Sequence, residues 1–359
     1  MIRYGILFLF VFAAQFSQAQ TNKEKALNNA KQALVLQNVG KFDEAIKFLE
    51  AAVVLDSVSS DISYELGLAY YTKGDYDKAK NILEKLLGRP DVFSAVYELL
   101  GNTYDKLANV EKAIATYLNG IVKFPKAGEL YLEMGTMYLS RKEYPPAIAY
   151  YEKGIQTDPS FASNYYWAAK IYCNSDEAVW GMIYGELFLN LERDSKRTDE
   201  ISKLLFDTYK KKIRFPKDSA FQVNFSKPGN YVVFDTAKNK KKTPFPKAVY
   251  EPQLMLALLT EKNIDLNSLA RIRKYSVESY FKSGTYQNYP NVLFDFQYRV
   301  LKAGHWDAYS RWILFKGDEA AGNAWVKANK KKWDDFVKWF MKNKLVLDAT
   351  YKFYSSQYD

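Results

Sequence analysis

Small residues return along the first half of this chain at a fixed interval. Ala45, Ala79, Ala113 and Ala147 stand 34 residues apart, and twelve positions before each lies another small residue: Ala33, Gly67, Gly101 or Gly135. Tyr70, Tyr104 and Tyr138 follow the three glycines at a distance of three, and Tyr117 and Tyr151 follow Ala113 and Ala147 at a distance of four. Offsets of three and four put side chains on one face of an α-helix. Each period therefore predicts two helices with apolar faces that meet at the small residues, where a larger side chain would force them apart. Lys73-Gly74-Asp75-Tyr76 supplies turn chemistry between the two helices of one period, and Pro125 and Pro159 stop second helices because proline cannot continue them.

Written out, one period reads Tyr97-x2-Leu100-Gly101-x2-Tyr104, then Ala113-x3-Tyr117, then Pro125. The next reads Tyr131-x2-Met134-Gly135-x2-Tyr138, then Ala147-x3-Tyr151, then Pro159. This arrangement resembles the tetratricopeptide repeat, with tyrosine replacing the usual tryptophan at the first position. Four units fall at about 26–59, 60–93, 94–127 and 128–161. The first carries Asn29 and Gln32 where bulky apolar residues are expected, as a solvent-facing end unit would. A fifth begins with Tyr165, Ala168, Ala169 and Tyr172 in register, then departs: Gly181 replaces the alanine, and a long helix is predicted from about Glu177 to Glu192. Thr198 reads as the N-cap of a following helix whose apolar face holds Ile201, Leu204, Leu205 and Tyr209. Residues 162–214 thus form a modified fifth repeat and a capping helix. The resemblance covers about half of the chain and implies an all-α, right-handed helical solenoid.

Beyond Phe215 the period disappears, and residues 215–359 read as a mostly helical domain with a possible short β-hairpin. Phe221–Phe225 and Tyr231–Phe234 flank Pro228-Gly229, which suggests the hairpin, and Lys240–Lys242 with Pro244 and Pro246 reads as an exposed loop. One helix is expected to end at Gly284 with Leu269, Val277, Tyr280 and Phe281 on its apolar side. A second runs from about Pro290 to Ala303, and a third ends before Gly317. Asp318 is expected to cap one long helix bearing Trp325, Trp333, Phe336, Val337 and Phe340.

The amino terminus has the layout of an export signal. Arg3 precedes a short apolar run from Gly5 to Ala14, and Ser17-Gln18-Ala19 gives the small-x-small pattern, predicting cleavage after Ala19. So short a run does not reach the roughly twenty residues a membrane span needs, so no transmembrane anchor is expected. The mature chain is accordingly expected to be periplasmic or secreted. Charge divides along the chain: residues 1–209 hold 23 Lys and Arg against 27 Asp and Glu, a net of −4, whereas residues 210–359 hold 28 against 14, a net of +14. Outside the cytoplasm a basic region meets anionic lipid, acidic polysaccharide or acidic protein rather than nucleic acid. Aromatic residues make up 16% of the chain, and amphipathic rings of this kind suit thin structures and binding faces.

Catalytic constellations are scarce. His305 is the single histidine and Cys173 the single cysteine, so neither a multi-histidine metal site nor an intrachain disulfide is available. Phosphate-binding glycine loops and G-x-S-x-G are absent. His305-Trp306-Asp307 sits at a helix start, where both polar types are ordinary, and Asp334-Asp335 points two ways on a helix. No cofactor or metal is expected, and no catalysis. The tetratricopeptide resemblance instead implies a concave face formed by positions 2, 5, 9 and 12 of each unit. Those positions hold Asp61, Tyr64, Leu68 and Tyr71, then Glu98, Asn102 and Asp105, then Glu129, Leu132 and Thr136, then Tyr166 and Lys170. The set is acidic with aromatic patches, which favours a basic or aromatic-rich protein segment. The expected function is a non-catalytic envelope scaffold or assembly factor. An alternative is a glycan- or anionic-surface-binding protein that uses the basic second half through Trp306, Trp312, Trp325 and Trp333, with the repeats as spacer.

Overall fold

A computed structural model describes residues 3–216, 221–228, 233–235 and 240–358. It divides into two compact units, residues 1–134 and 135–359.

The first unit consists of α1 (Arg3–Asn38), α2 (Phe42–Leu55), α3 (Ser60–Lys73), α4 (Tyr76–Leu86), α5 (Ser94–Lys106), α6 (Val110–Lys123) and the start of α7 (Gly128–Ser140). Helix starts are set by local capping. The side chains of Ser59, Asp75 and Asn109 accept from the amides of Ile62, Lys78 and Lys112, satisfying donors that helix starts leave without partners. The small residues lie where expected: Ala45, Ala79 and Ala113 are fully buried, and a Cβ on Gly101 would come within 2.2 Å of the Tyr117 ring. At Gly67 the facing residue is Leu83, and the same atom would meet it at 3.0 Å. The pressure for glycine therefore comes from the ring opposite it. Neighbouring repeats are also tied by polar contacts, with the Tyr70 hydroxyl donating to Glu50 at 2.6 Å and the Tyr104 hydroxyl to Glu84.

The turn between the helices of a unit repeats one backbone conformation. Gly40, Gly74, Ala108 and Lys142 are spaced by 34 residues, and all have positive φ, at 75°, 91°, 57° and 62°. Glycine adopts that region freely, whereas alanine and lysine do so at a cost.

The second unit contains the rest of α7, then α8 (Tyr144–Thr157), α9 (Ala162–Cys173), α10 (Ala178–Leu191) and α11 (Lys196–Lys212). The first helices of successive periods begin at Ser60, Ser94, Gly128, Ala162 and Lys196, so the 34-residue step persists into α11. The fifth repeat tightens rather than fades. A Cβ on Gly181 would come within 2.4 Å of the Cys173 backbone nitrogen. Ser195 caps α11 in place of Thr198, which sits at the third helical position and closes a reciprocal capping box with it.

Helix α10 is apolar around its whole circumference and nearly every residue is buried, as such a helix must be. Its one charged residue, Glu186, accepts on the same oxygen from Arg273 at 2.5 Å, Gln297 at 2.6 Å and Tyr309 at 2.9 Å. These partners come from α13 (Leu266–Lys282), α14 (Val292–Lys302) and α15 (Trp306–Leu314), so the non-repeat helices assemble around a repeat helix. Residues 343–358 then run back over the unit. Phe353 is fully buried, Ser355 donates to Glu152 at 2.5 Å, and the Lys352 ammonium reaches the Gln156 carbonyl.

Three further details differ from the sequence reading. Strand β2 (Gln222–Val223) pairs with β1 (Ile213–Arg214), because the amides of Phe225 and Ser226 are held by the buried Glu251 carboxylate. Lys240–Lys242 is a strand, β4, paired with β3 (Val233–Asp235), rather than a loop. Gly229 and Tyr231, at the expected hairpin, lie outside the described residues. The long helix after Asp318 is two: α16 (Glu319–Ala328) and α17 (Lys330–Lys342). Asn329 leaves helical geometry between them, and its amide donates to the Trp325 carbonyl at 3.0 Å. The helix α12 (Glu251–Leu258) opens through a π turn at Pro246–Tyr250.

Two substitutions test the packing and turn arguments by thermal or denaturant unfolding. Ala108→Gly should stabilise by about 1 kcal/mol by relieving the positive φ. Gly101→Ala should cost up to about 3 kcal/mol through overpacking against Tyr117, whereas Gly67→Ala should cost far less.

Candidate functional site

In the first unit, the residues expected on the concave face come from α3, α5 and α7. Tyr64 and Tyr71 are half-buried and held by other rings, Tyr64 edge-on to Phe93 at 5.1 Å and Tyr71 edge-on to Tyr76 at 5.5 Å. Leu68 and Leu132 are half-buried, and Asp61 and Asp105 are exposed. Asn102 accepts from the Tyr117 hydroxyl at 2.6 Å, and Glu129 accepts from Ser94 at 2.5 Å.

Carboxylates dominate the electrostatics here. Burial, reinforced by Glu129, pushes the Glu98 carboxyl up to about 7. Burial, reinforced by Glu98 and Asp105, does the same to Glu133. Glu65 is raised as well, first by burial and then by Asp61. The Tyr64 hydroxyl is pushed to about 12 by burial and by Glu98, Glu65 and Glu129. Among the described residues no Lys or Arg nitrogen lies within 4 Å of Glu98 or Glu133, although ion pairs form elsewhere, such as Lys73 with Asp43. Half-buried acids crowded together without a cation form a surface that a cation would stabilise. Glu133, Glu65 and Tyr117 were missed by the position rule. One signal marked the two glutamates: positions 65 and 133 hold glutamate where the neighbouring repeats hold Leu99 and Trp167.

In the second unit the expected face residues have internal partners. Thr136 lies 3.3 Å from the Tyr151 hydroxyl. Tyr166 is buried and donates to Glu200 at 2.5 Å, and Lys170 pairs with the same carboxylate at 2.6 Å. Helix α11, one period further on, thus uses these two side chains to dock.

The remaining chemical candidates are structural in their surroundings. Cys173 is buried and its thiol is pushed up to about 12 by burial. His305 packs against Trp339 at 5.3 Å, with burial lowering its pKa. Among the described residues no three His, Cys, Asp or Glu side chains come together as a metal site would require. Of the tryptophans of the second half, Trp306 is buried and Trp312, Trp325 and Trp333 are half-buried against other side chains. Trp306 is buried with its indole N–H on the Ala270 carbonyl at 2.8 Å, Trp312 packs on Phe340 at 4.7 Å, and Trp325 lies under the Arg311 guanidinium at 4.4 Å. Trp333 is half-buried beside Phe336 at 5.8 Å.

Paired antiparallel helices in a 34-residue period define a tetratricopeptide-repeat scaffold. The tetratricopeptide repeat family model matches residues 30–89 and 98–160. The chain is 29% identical over 136 residues to the BBSome complex member BBS4 of Bos taurus, and 30% identical over 108 residues to the anaphase-promoting complex subunit CDC16 of Saccharomyces cerevisiae. These alignments take in 37% and 28% of this chain, but they span only 26% and 13% of the two relatives. Similar solved structures include a thermophilic TPR protein of Thermus thermophilus, at 17% identity and a TM-score of 0.43, covering 50% of this chain and 98% of that one. MamA is another, at 22% identity and a TM-score of 0.37, covering 47% of this chain and 92% of that one. Residues 30–89 and 98–160 thus carry tetratricopeptide repeats.

The raised carboxyls give a pH dependence of known sign. A group whose folded pKa of about 7 exceeds its unfolded value withdraws stability as pH rises from the unfolded value through 7. The protein should therefore unfold at lower denaturant at pH 8 than at pH 5. Glu98→Gln and Glu133→Gln should each remove part of that difference, on the order of 1 kcal/mol.

Proposed function

We propose that this protein is a non-catalytic scaffold whose first unit captures a basic, aromatic-containing segment of a protein partner on the face that bears Tyr64, Tyr71, Glu98 and Glu133. The observation that carries this reading is the pair of half-buried acids raised to about 7 with no basic neighbour among the described residues. Lys or Arg from a partner would offset the repulsion among Glu98, Glu129, Glu133 and Asp105, and the rings held by Phe93 and Tyr76 offer apolar contact with little left to order. Asp61, Leu68, Asn102 and Leu132 belong to the same face. Thr136 is held within its own repeat by Tyr151, and Tyr166 and Lys170 serve to dock α11.

Residues 1–19 act as a cleaved signal, placing the mature chain in the periplasm or outside the cell as an envelope assembly factor. No helix among the described residues is long and apolar enough to cross a membrane. The alternative, glycan or anionic-surface binding by residues 215–359, draws support from the basic charge of that half and loses part of it because Trp306 is buried and Trp325 is covered on one side by Arg311.

A cross-linked pull-down from extracts of the source cell tests the main reading, with the full chain and a Tyr64→Ala/Tyr71→Ala variant of unchanged circular dichroism as baits. A specific partner retained by the wild type and reduced at least tenfold with the variant is the expected result. Equal recovery by both would move the site elsewhere.

A further inference from the structure

The second unit holds an open cavity of about 1000 Å3 where the start of α8, the end of α9 and the loop at residues 174–177 meet. That volume reaches the upper end of the range of pockets that take a drug-sized ligand. One part of its wall is aliphatic, from Leu139, Pro145, Ile148 and Ile171. Another is aromatic, from Tyr144, Trp167, Tyr172 and Trp180.

The aromatic wall is pre-set. Trp180 stacks on Phe245 at 5.7 Å, Tyr172 is fixed through its hydroxyl on Glu152 at 3.1 Å, and Trp167 lies 4.8 Å beneath the Lys170 ammonium. Tyr144 remains 48% exposed although it opens a helix whose next residues are prolines. Rings and aliphatic side chains held in contact with water form a surface that gains by covering.

Charge at the mouth selects among occupants. Lys170 is already paired with Glu200 at 2.6 Å, and the half-buried Glu177 feels Lys227. Asp176 is exposed and has no hydrogen bond or ion pair among the described residues, so it is the rim carboxylate left open to a cation from an occupant.

We infer that this pocket is a second binding site, taking the aromatic or leucine side chain of a peptide segment whose neighbouring lysine or arginine faces Asp176. It uses only residues 139–227 and does not depend on the acidic face of the first unit.

Panning a phage-displayed random dodecapeptide library on the full chain, and in parallel on Ile148→Asp, Tyr144→Ala and Asp176→Lys variants, tests the site. The wild type should enrich sequences with Phe, Trp or Leu beside Lys or Arg. The enriched peptide, made synthetically, should bind Tyr144→Ala and Ile148→Asp at least tenfold more weakly by calorimetry. Asp176→Lys should switch the enriched flank from basic to acidic, a readout that loss of folding would not give. Enrichment that ignores all three substitutions, or no enrichment at all, would overturn the inference. So would binding of a neutral oligosaccharide probe, maltohexaose, that Tyr144→Ala abolishes.

Discussion

The closest approach of paired helices is the constraint on which the repeats depend. Gly101 lies under the ring of Tyr117, and Gly135 lies under the ring of Tyr151, at separations that admit no Cβ. A glycine facing a tyrosine lets the two helices of a unit meet at one register only. Stacking the units at that register returns each first-helix position every 34 residues. The candidate face follows from this, since Tyr64 and Glu98 are the same position of successive units. It inherits a fixed backbone from packing in which its own side chains take little part.

Polar contacts show which positions serve the scaffold. The tyrosine after the small residue reaches back twenty residues to a glutamate at Tyr70–Glu50, Tyr104–Glu84 and Tyr172–Glu152. At Tyr138 the residue twenty back is Leu118, and that ring stacks on Tyr150 instead. These glutamates have hydroxyl partners. Among the described residues Glu98 and Glu133 have no basic neighbour of their own and sit among other acids, a local conflict of the kind that function maintains at a cost in stability.

Much of the architecture was legible because it is periodic. Alanine, glycine and tyrosine at fixed offsets report helix pairing directly, and glycines at 284 and 304 with positive φ mark helix ends in the second half. What escaped was set by contacts distant in sequence. Nothing local shows that Glu251 holds Phe225 and Ser226, or that Glu186 gathers Arg273, Gln297 and Tyr309 around α10. The candidate face was legible in the same proportion. Position alone picked out Tyr64, Tyr71 and Glu98 of the proposed face, but it did not find Glu133, whose carboxyl is raised by burial. It also gave no sign that Tyr166 and Lys170 are occupied by Glu200.

The most direct test is calorimetric titration of the full chain at pH 7 with a twelve-residue lysine- and phenylalanine-rich peptide, in two buffers of different ionisation enthalpy. Capture by Glu98 and Glu133, raised to about 7 in the free protein, predicts binding accompanied by net proton release. The release should disappear in the Glu98→Gln/Glu133→Gln double variant. Binding with the same heat in both buffers, or binding that the double variant retains in full, would contradict the account.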